Sequence, residues 1–265
     1  MPKSLPFALL LSALLLHACS SITPARQDST ADLSKHFEGL DGCMVLTELS
    51  NKQTLRYRPE RCAERCSPCS TFKIPHALFA LDSGILADAD STIQWDGVAR
   101  DRTELNRDHT LKSAIKYSVV WYFQEVARRL GLAREQRYVD SINYGNKDLS
   151  GGLTQFWLGS SLKISADEQV AFLSRLCRND LPLSARSMEI VSECLIQREQ
   201  DGLIYRGKTG SHRYQSDSLG WWVGWVHKDD KTYVFAANVR GPDVSGSVAR
   251  RVAESVLRDR GILPE

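Results

Sequence analysis

Apolar and polar residues alternate over positions 43–49, give way to Ser50-Asn51, and resume over 54–57, which predicts a β-hairpin with one buried face. The period then lengthens. Residues 70–81 are apolar at helical spacing and stop near Gly84, with Pro75 tolerable only because it lies close to the helix start. Residues 111–130 repeat the helical pattern and are closed by Gly131, and 166–177 form an amphipathic helix with Ser165 as its N-cap. The last third returns to strands at 203–209, 220–227 and 233–239, with Lys228-Asp229-Asp230-Lys231 as a hairpin turn and a closing helix over 248–257. Strands at both ends with helices between predict an α+β fold of the α/β sandwich type. Its central antiparallel sheet is built from both chain ends, flanked by helices, and carries a helical insertion.

Of the 265 residues, 42% are hydrophobic and 25% charged, an ordinary globular balance with ample material for a core. The formal net charge of +2 sets up no basic field, so nucleic acid is not the expected partner. Residues 1–19 read as an export signal. Lys3 supplies the positive start, and the apolar run over 5–16 is too short for a membrane span. Leu16-His17-Ala18-Cys19 resembles a lipobox with His17 out of pattern, so lipidation of Cys19 and plain signal cleavage are both open. A lipid at Cys19 is the single membrane attachment expected. The polar stretch 20–35 reads as a flexible tether, leaving 36–265 as the catalytic domain. The expected location is the periplasm, on the outer membrane if Cys19 is lipidated. In such an oxidising compartment Cys43, Cys62, Cys66, Cys69, Cys177 and Cys194 are candidates for disulfides whose pairing is open. Cys62, Cys66 and Cys69 lack a well-spaced histidine, and no metal site is assigned.

The chemistry centres on Ser70-Thr71-Phe72-Lys73. On a helix, positions three apart share a face, so the lysine amine can reach the serine hydroxyl and act as its base. Lys208-Thr209-Gly210 falls on a predicted strand, where the lysine offers charge, the threonine a hydroxyl, and the glycine close approach, a set suited to a substrate carboxylate. Ser118-Val119-Val120 lies between them in chain order, and the Ser118 hydroxyl can relay a proton to a leaving nitrogen.

These segments resemble the class D β-lactamases. Ser70-Thr71-Phe72-Lys73, Ser118-Val119-Val120, Tyr144-Gly145-Asn146 and Lys208-Thr209-Gly210 match that family's four motifs in order, and Phe156-Trp157-Leu158 and Trp221-Trp222-Val223-Gly224-Trp225 match further segments. The resemblance implies a hydrolase of β-lactam antibiotics that binds no cofactor but takes up CO2 or bicarbonate to carboxylate Lys73. The carbamate would lie within apolar walls from Val120, Phe72 and Leu158 and accept the indole N–H of Trp157. Backbone N–H groups of Ser70 and Ser211 would form the oxyanion hole, and Ser118 and Lys208 would protonate the lactam nitrogen. Thr209 and Gly210 would take the substrate carboxylate together with an arginine near the start of the last helix. Arg250 is favoured for that role with Arg251 beside it, although a gap-free count from the C-terminus places Ala249 there. Tyr144 and Asn146 read as a supporting turn. His76, His109 and His212 fit no triad. Two rivals share the motifs: a penicillin-binding transpeptidase or carboxypeptidase, and a β-lactam sensor domain, whose receptors carry several membrane spans where this chain has one short apolar segment.

Overall fold

The computed structural model describes Met1 and residues 28–30, 32–213 and 217–265. In chain order the strands are β1 Asp28–Thr30, β2 Asp41–Glu48, β3 Gln53–Tyr57, β4 Thr92–Ile93, β5 His109–Thr110, β6 Ile196–Gln200, β7 Leu203–Arg213, β8 Ser218–Lys228 and β9 Lys231–Gly241. The helices are α1 Ser34–Phe37, α2 Pro59–Ala63, α3 Lys73–Asp82, α4 Leu111–Tyr117, α5 Val120–Leu130, α6 Leu132–Ile142, α7 Ala166–Cys177, α8 Ala185–Cys194 and α9 Gly246–Asp259, with 3₁₀ turns at Cys69–Phe72 and Thr103–Leu105.

The strands at the two ends of the chain meet in one sheet of order β1-β3-β2-β9-β8-β7-β6. Every neighbouring pair is antiparallel except β1 with β3. β4 and β5 form a separate small ribbon. The run around Trp221 explains why β8 lies inside the sheet: a strand covered on both faces needs apolar residues at odd and even positions alike. Trp221, Val223 and Trp225 face the large core shared with α3, α5, α7 and α8. Trp222 and Val226 face a smaller core under α1 and α9. The sheet is thus the middle layer of three, and the site grows on its large-core face.

Local signals account for the elements that match expectation. The β2–β3 hairpin pairs Glu48 with Gln53 across the turn. α7 begins where Ser165 and Glu168 exchange side-chain and backbone hydrogen bonds in a capping box. The β8–β9 hairpin turns at Asp229, which takes the left-handed conformation (φ 53°) open to Asp and Asn. Two expectations are corrected. The 111–130 helix is two helices broken at Ser118, described below. The tether expected over 20–35 ends earlier: residues 28–30 pair with β3, and Leu33 lies buried in the smaller core. The export signal and Cys19 lie outside the described residues.

Candidate active site

Ser70 sits in the 3₁₀ turn that precedes α3. The helix expected from 70 onward therefore starts more tightly wound, and in a 3₁₀ turn the side chains at i and i+3 eclipse. That winding sets Lys73 directly over Ser70, with Nζ donating to Oγ at 2.7 Å. Pro75 falls in the first turn of α3, where a missing N–H costs little. Cys69, just before the nucleophile, adopts φ 50°, an uncommon conformation for a non-glycine residue and a local strain that the surroundings must hold. Thr71 does part of that holding: its hydroxyl donates to Pro68 O at 2.7 Å and accepts from Gln169 Nε2 at 2.9 Å.

Lys73 has no exposed surface. Burial, and after it the like charge of Lys208, holds its amine well below the ordinary lysine range, with Cys69 a smaller opposing influence. Its Nζ lies 5.6 Å from the centroid of Phe123, an apolar wall on α5 that motif reading did not single out. Phe72 is buried in the same core, Leu158 packs against it half-buried, and Val120, half-buried, opens α5.

Ser118 breaks the predicted helix by adopting φ 57° and ψ 44° as the cap of α4. The break turns its hydroxyl to Lys208, whose Nζ donates to Ser118 Oγ at 3.0 Å and to Thr209 O at 3.1 Å. Burial, then the Arg102 charge, lowers the Lys208 amine to about 7. Among the described residues neither amine hydrogen-bonds a carboxylate, so the two buried amines have no anionic partner. β7 presses close to the nucleophile turn at Gly210, where a Cβ would lie 2.9 Å from Pro68 O and 3.1 Å from Thr71 Cγ2. Glycine is required there by proximity. Ser211, next along, accepts at its hydroxyl from Gly246 N at the start of α9 (2.8 Å).

Trp157 is fully buried, edge-on to the His76 ring at 4.6 Å and stacked near Phe72 at 6.1 Å. Its indole N–H has no hydrogen-bond partner among the described residues, an orphaned donor of the kind that marks a missing acceptor. Its loop is fastened to the segment before the nucleophile. Cys66 and Ile164 exchange backbone hydrogen bonds at 3.0 and 2.8 Å. The buried Ser67 hydroxyl donates to Trp157 O and accepts from Gly159 N, both at 2.9 Å, while Ser67 O accepts from Trp221 Nε1 at 2.9 Å. Ser67 belongs to no recognised motif, and only the folded chain reveals it as the knot joining nucleophile, loop and sheet.

The supporting turn has a visible mechanism. Asn146 Oδ1 accepts from Lys163 N at 2.9 Å and its Nδ2 donates to Ser161 O at 2.9 Å. Gly145 adopts φ 54° with Lys163 O only 2.0 Å from where a Cβ would stand. Tyr144 is fully buried, edge-on to Phe72 with the ring centroids 5.3 Å apart.

Other expected residues lie elsewhere. Arg250 is not brought to Lys208. Paired residues on adjacent strands share a face, and Thr209 pairs with Trp222 while Lys208 pairs with Val223. Arg250 stands on the Thr209 face, its guanidinium 4.7 Å from the Trp222 ring, bonded to Glu254 (2.7 Å) and Gln197 (3.1 Å). Arg251 is exposed. The disulfide expectation is corrected: the six cysteines among the described residues are free thiols, with the Cys62 thiol donating to Tyr57 O at 3.2 Å and burial pushing Cys66 and Cys194 up to about 11. His109 bonds Ser113 and Glu104 O. His76 is not ordinary: Nε2 stands 2.9 Å from Glu135 Oε1, with both side chains fully buried.

A serine hydroxyl bonded to one buried, depressed amine and a second hydroxyl bonded to another are groups of the kind that acyl transfer uses. Comparisons with known proteins agree. Residues 37–258 match the family model described as penicillin binding protein transpeptidase domain. The chain is 39% identical over 249 residues to "Probable beta-lactamase YbxI" of Bacillus subtilis (strain 168), spanning 94% of this chain and 92% of that one. It superposes on the structure titled "Class D beta-lactamase BAT-2" with TM-score 0.84 and 38% identity, covering 89% of this chain and 98% of that one. It also superposes on the C-terminal domain of the Bacillus licheniformis BlaR penicillin-receptor with TM-score 0.87 and 34% identity, over 91% and 99%. By its fold, its ordered motifs and these relatives, the chain belongs to the class D β-lactamase family.

Proposed function

We propose that this chain hydrolyses β-lactam antibiotics through an acyl-enzyme on Ser70, with Lys73 carboxylated by CO2 as the general base. The observation that carries the proposal is the combination of a fully buried Lys73 amine with a buried indole N–H on Trp157 that has no acceptor. A lysine held neutral by burial is a nucleophile. Its nitrogen bonds the carbon of CO2 and releases one proton to solvent, leaving a carbamate that needs a donor such as Trp157. The carbamate would supply an anionic base between the serine proton and, later, the hydrolytic water.

The chain's own groups divide the rest of the work. Ser70 Oγ attacks the lactam carbonyl and gives up its proton on the Lys73 side, to which it is already hydrogen-bonded. Backbone N–H groups of Ser70 and Ser211 receive the oxyanion, and such donors are worth on the order of a hundredfold or more in rate. Lys208 passes a proton through the Ser118 hydroxyl to the lactam nitrogen, along the 3.0 Å contact between them. Thr209 and Gly210 meet the substrate carboxylate. Arg250 sits one turn beyond Gly246, on the helix stripe that adjoins Thr209, and joins them by exchanging Glu254 and Gln197 for the ligand. Such a substrate is met in the cell envelope, which fits the export signal in residues 1–19 and a periplasmic or lipid-anchored location.

The likeness to the BlaR receptor domain supports one rival, a sensor that is acylated and does not turn over. A chromogenic cephalosporin separates the two. The expected result is steady hydrolysis, sustained by added bicarbonate, with Lys73→Ala losing deacylation. A burst of one equivalent per protein and no further turnover would overturn the hydrolase reading in favour of a protein that is acylated and stays so, whether transpeptidase or sensor.

A further inference from the structure

We infer that His76 and Glu135 form a buried pair that positions the Lys73 pocket and governs how readily Lys73 takes up CO2. The inference rests on the carbamate reading above. His76 follows Lys73 by three residues on α3, so the two share a helix face. Its ring is edge-on to Trp157 at 4.6 Å and parallel to Phe123 at 6.1 Å. Phe123 is the ring that also lies 5.6 Å from Lys73 Nζ. The imidazole is therefore part of the wall of the amine's pocket and the backing of the orphaned indole.

Glu135 reaches His76 from α6. It stands on the helix's buried stripe with Val139 and Ile142, a position where packing alone asks for an apolar residue. It is fully buried, 2.9 Å from His76 Nε2. That is an ion-pair distance, yet the groups are not aligned as a hydrogen bond, and both ring nitrogens and both carboxylate oxygens lack a formed one. Stability does not account for such an arrangement. Replacing a buried ion pair with apolar residues is commonly neutral or favourable, whereas losing one member leaves an uncompensated charge. Buried groups left unsatisfied point to a role in the site.

The role follows from sign. Lys73 must lose its ammonium charge and then carry an anion. An uncompensated carboxylate beside the pocket would favour the ammonium and oppose the carbamate. Wherever Glu135 is ionised, an imidazole carrying the balancing charge removes that bias, whereas Glu135 without its partner keeps it. The two members thus act in opposite directions, which a purely structural pair would not do.

The test uses the full chain with His76→Asn, Glu135→Gln and the double variant. For each, the bicarbonate concentration giving half-maximal hydrolysis is measured, with ¹³C NMR of the carbamate after ¹³C-bicarbonate loading and a melting temperature. His76→Asn, which strands Glu135, should raise the bicarbonate requirement on the order of tenfold. Glu135→Gln should leave it unchanged or lower it, and the double variant should return to within about threefold of the parent. Should His76→Asn fail to fold, Glu135→Gln still decides: a tenfold rise there overturns the inference. Equal rises in both single variants, tracking lost melting temperature, would reduce the pair to structural support. Absence of a carbamate signal in the parent sinks the carbamate reading itself. A parent signal with all variants unchanged sinks this inference alone.

Discussion

Replacing Lys208 with methionine is expected to stabilise the fold, by more at pH 6 than at pH 9. Burial, followed by the Arg102 charge, lowers the amine from 10.5 to about 7 in the folded protein. Between those values the unfolded chain holds a proton that the folded protein has released, so stability climbs as pH rises through the window. Below it both states are protonated and the folded protein bears the whole penalty, about 5 kcal/mol at 1.36 kcal/mol per unit. At pH 9 about 2 kcal/mol of it is left. Methionine keeps the length of the side chain and removes the charge. It also removes the hydrogen bonds to Ser118 and Thr209. Those are worth about 1 kcal/mol each and largely cancel when two pH values are compared. The like charge that Lys208 presents to Lys73 disappears too, which works in the same direction. The gain of Lys208→Met over the parent should therefore be about 3 kcal/mol greater at pH 6 than at pH 9, read by urea unfolding at both. The variant should lose acylation, because the proton relay ends at Ser118. A gain independent of pH, or one growing toward pH 9, would refute the idea that a buried amine neutral near pH 7 lies at the heart of the site.

Trp157→Phe keeps an aromatic ring and deletes the orphaned N–H; deacylation should fall about a hundredfold, with bicarbonate restoring part of it. Full turnover without added bicarbonate would show that the indole donor has no part in the reaction. Gly145→Ala places a methyl 2.0 Å from Lys163 O on a backbone of φ 54°, so thermal unfolding should reveal a loss of about 2–4 kcal/mol. A loss below about 1 kcal/mol would mean that the turn yields easily. Ser67→Ala removes a donor to Trp157 O and an acceptor for Gly159 N, both inside the protein; about 2–3 kcal/mol of stability should go with it. Turnover in that variant should become more dependent on bicarbonate, and an unchanged dependence would separate Ser67 from the tryptophan loop.

What was readable before folding was whatever carries a local signal. The β2–β3 hairpin, the capped α7 and the three C-terminal strands each follow from a period, a turn pair or a cap that neighbours in sequence supply. The break at Ser118 has no such signal, because apolar spacing runs on through it. The left-handed turn is held by what it accomplishes, a contact with Lys208 ninety positions later. Arg250 shows the same limit from the other side. Counting along the chain points to α9, but strand parity decides which face of the sheet that helix covers, and parity puts it with Thr209 and Trp222. The His76–Glu135 pair left one trace that could have been caught: a glutamate on the same helical stripe as Val139 and Ile142 is a charge in an apolar register. Motifs name the residues that touch a substrate. They do not name the groups that set the charge around those residues, since these are drawn in by packing from helices remote in sequence. In this chain the chemistry depends on the second set as much as the first. The reactivity proposed for Ser-x-x-Lys depends on burial beside Phe123 and Trp157, which holds the Lys73 amine well below its ordinary range, and a solvated lysine at the same spacing would remain an inert ammonium.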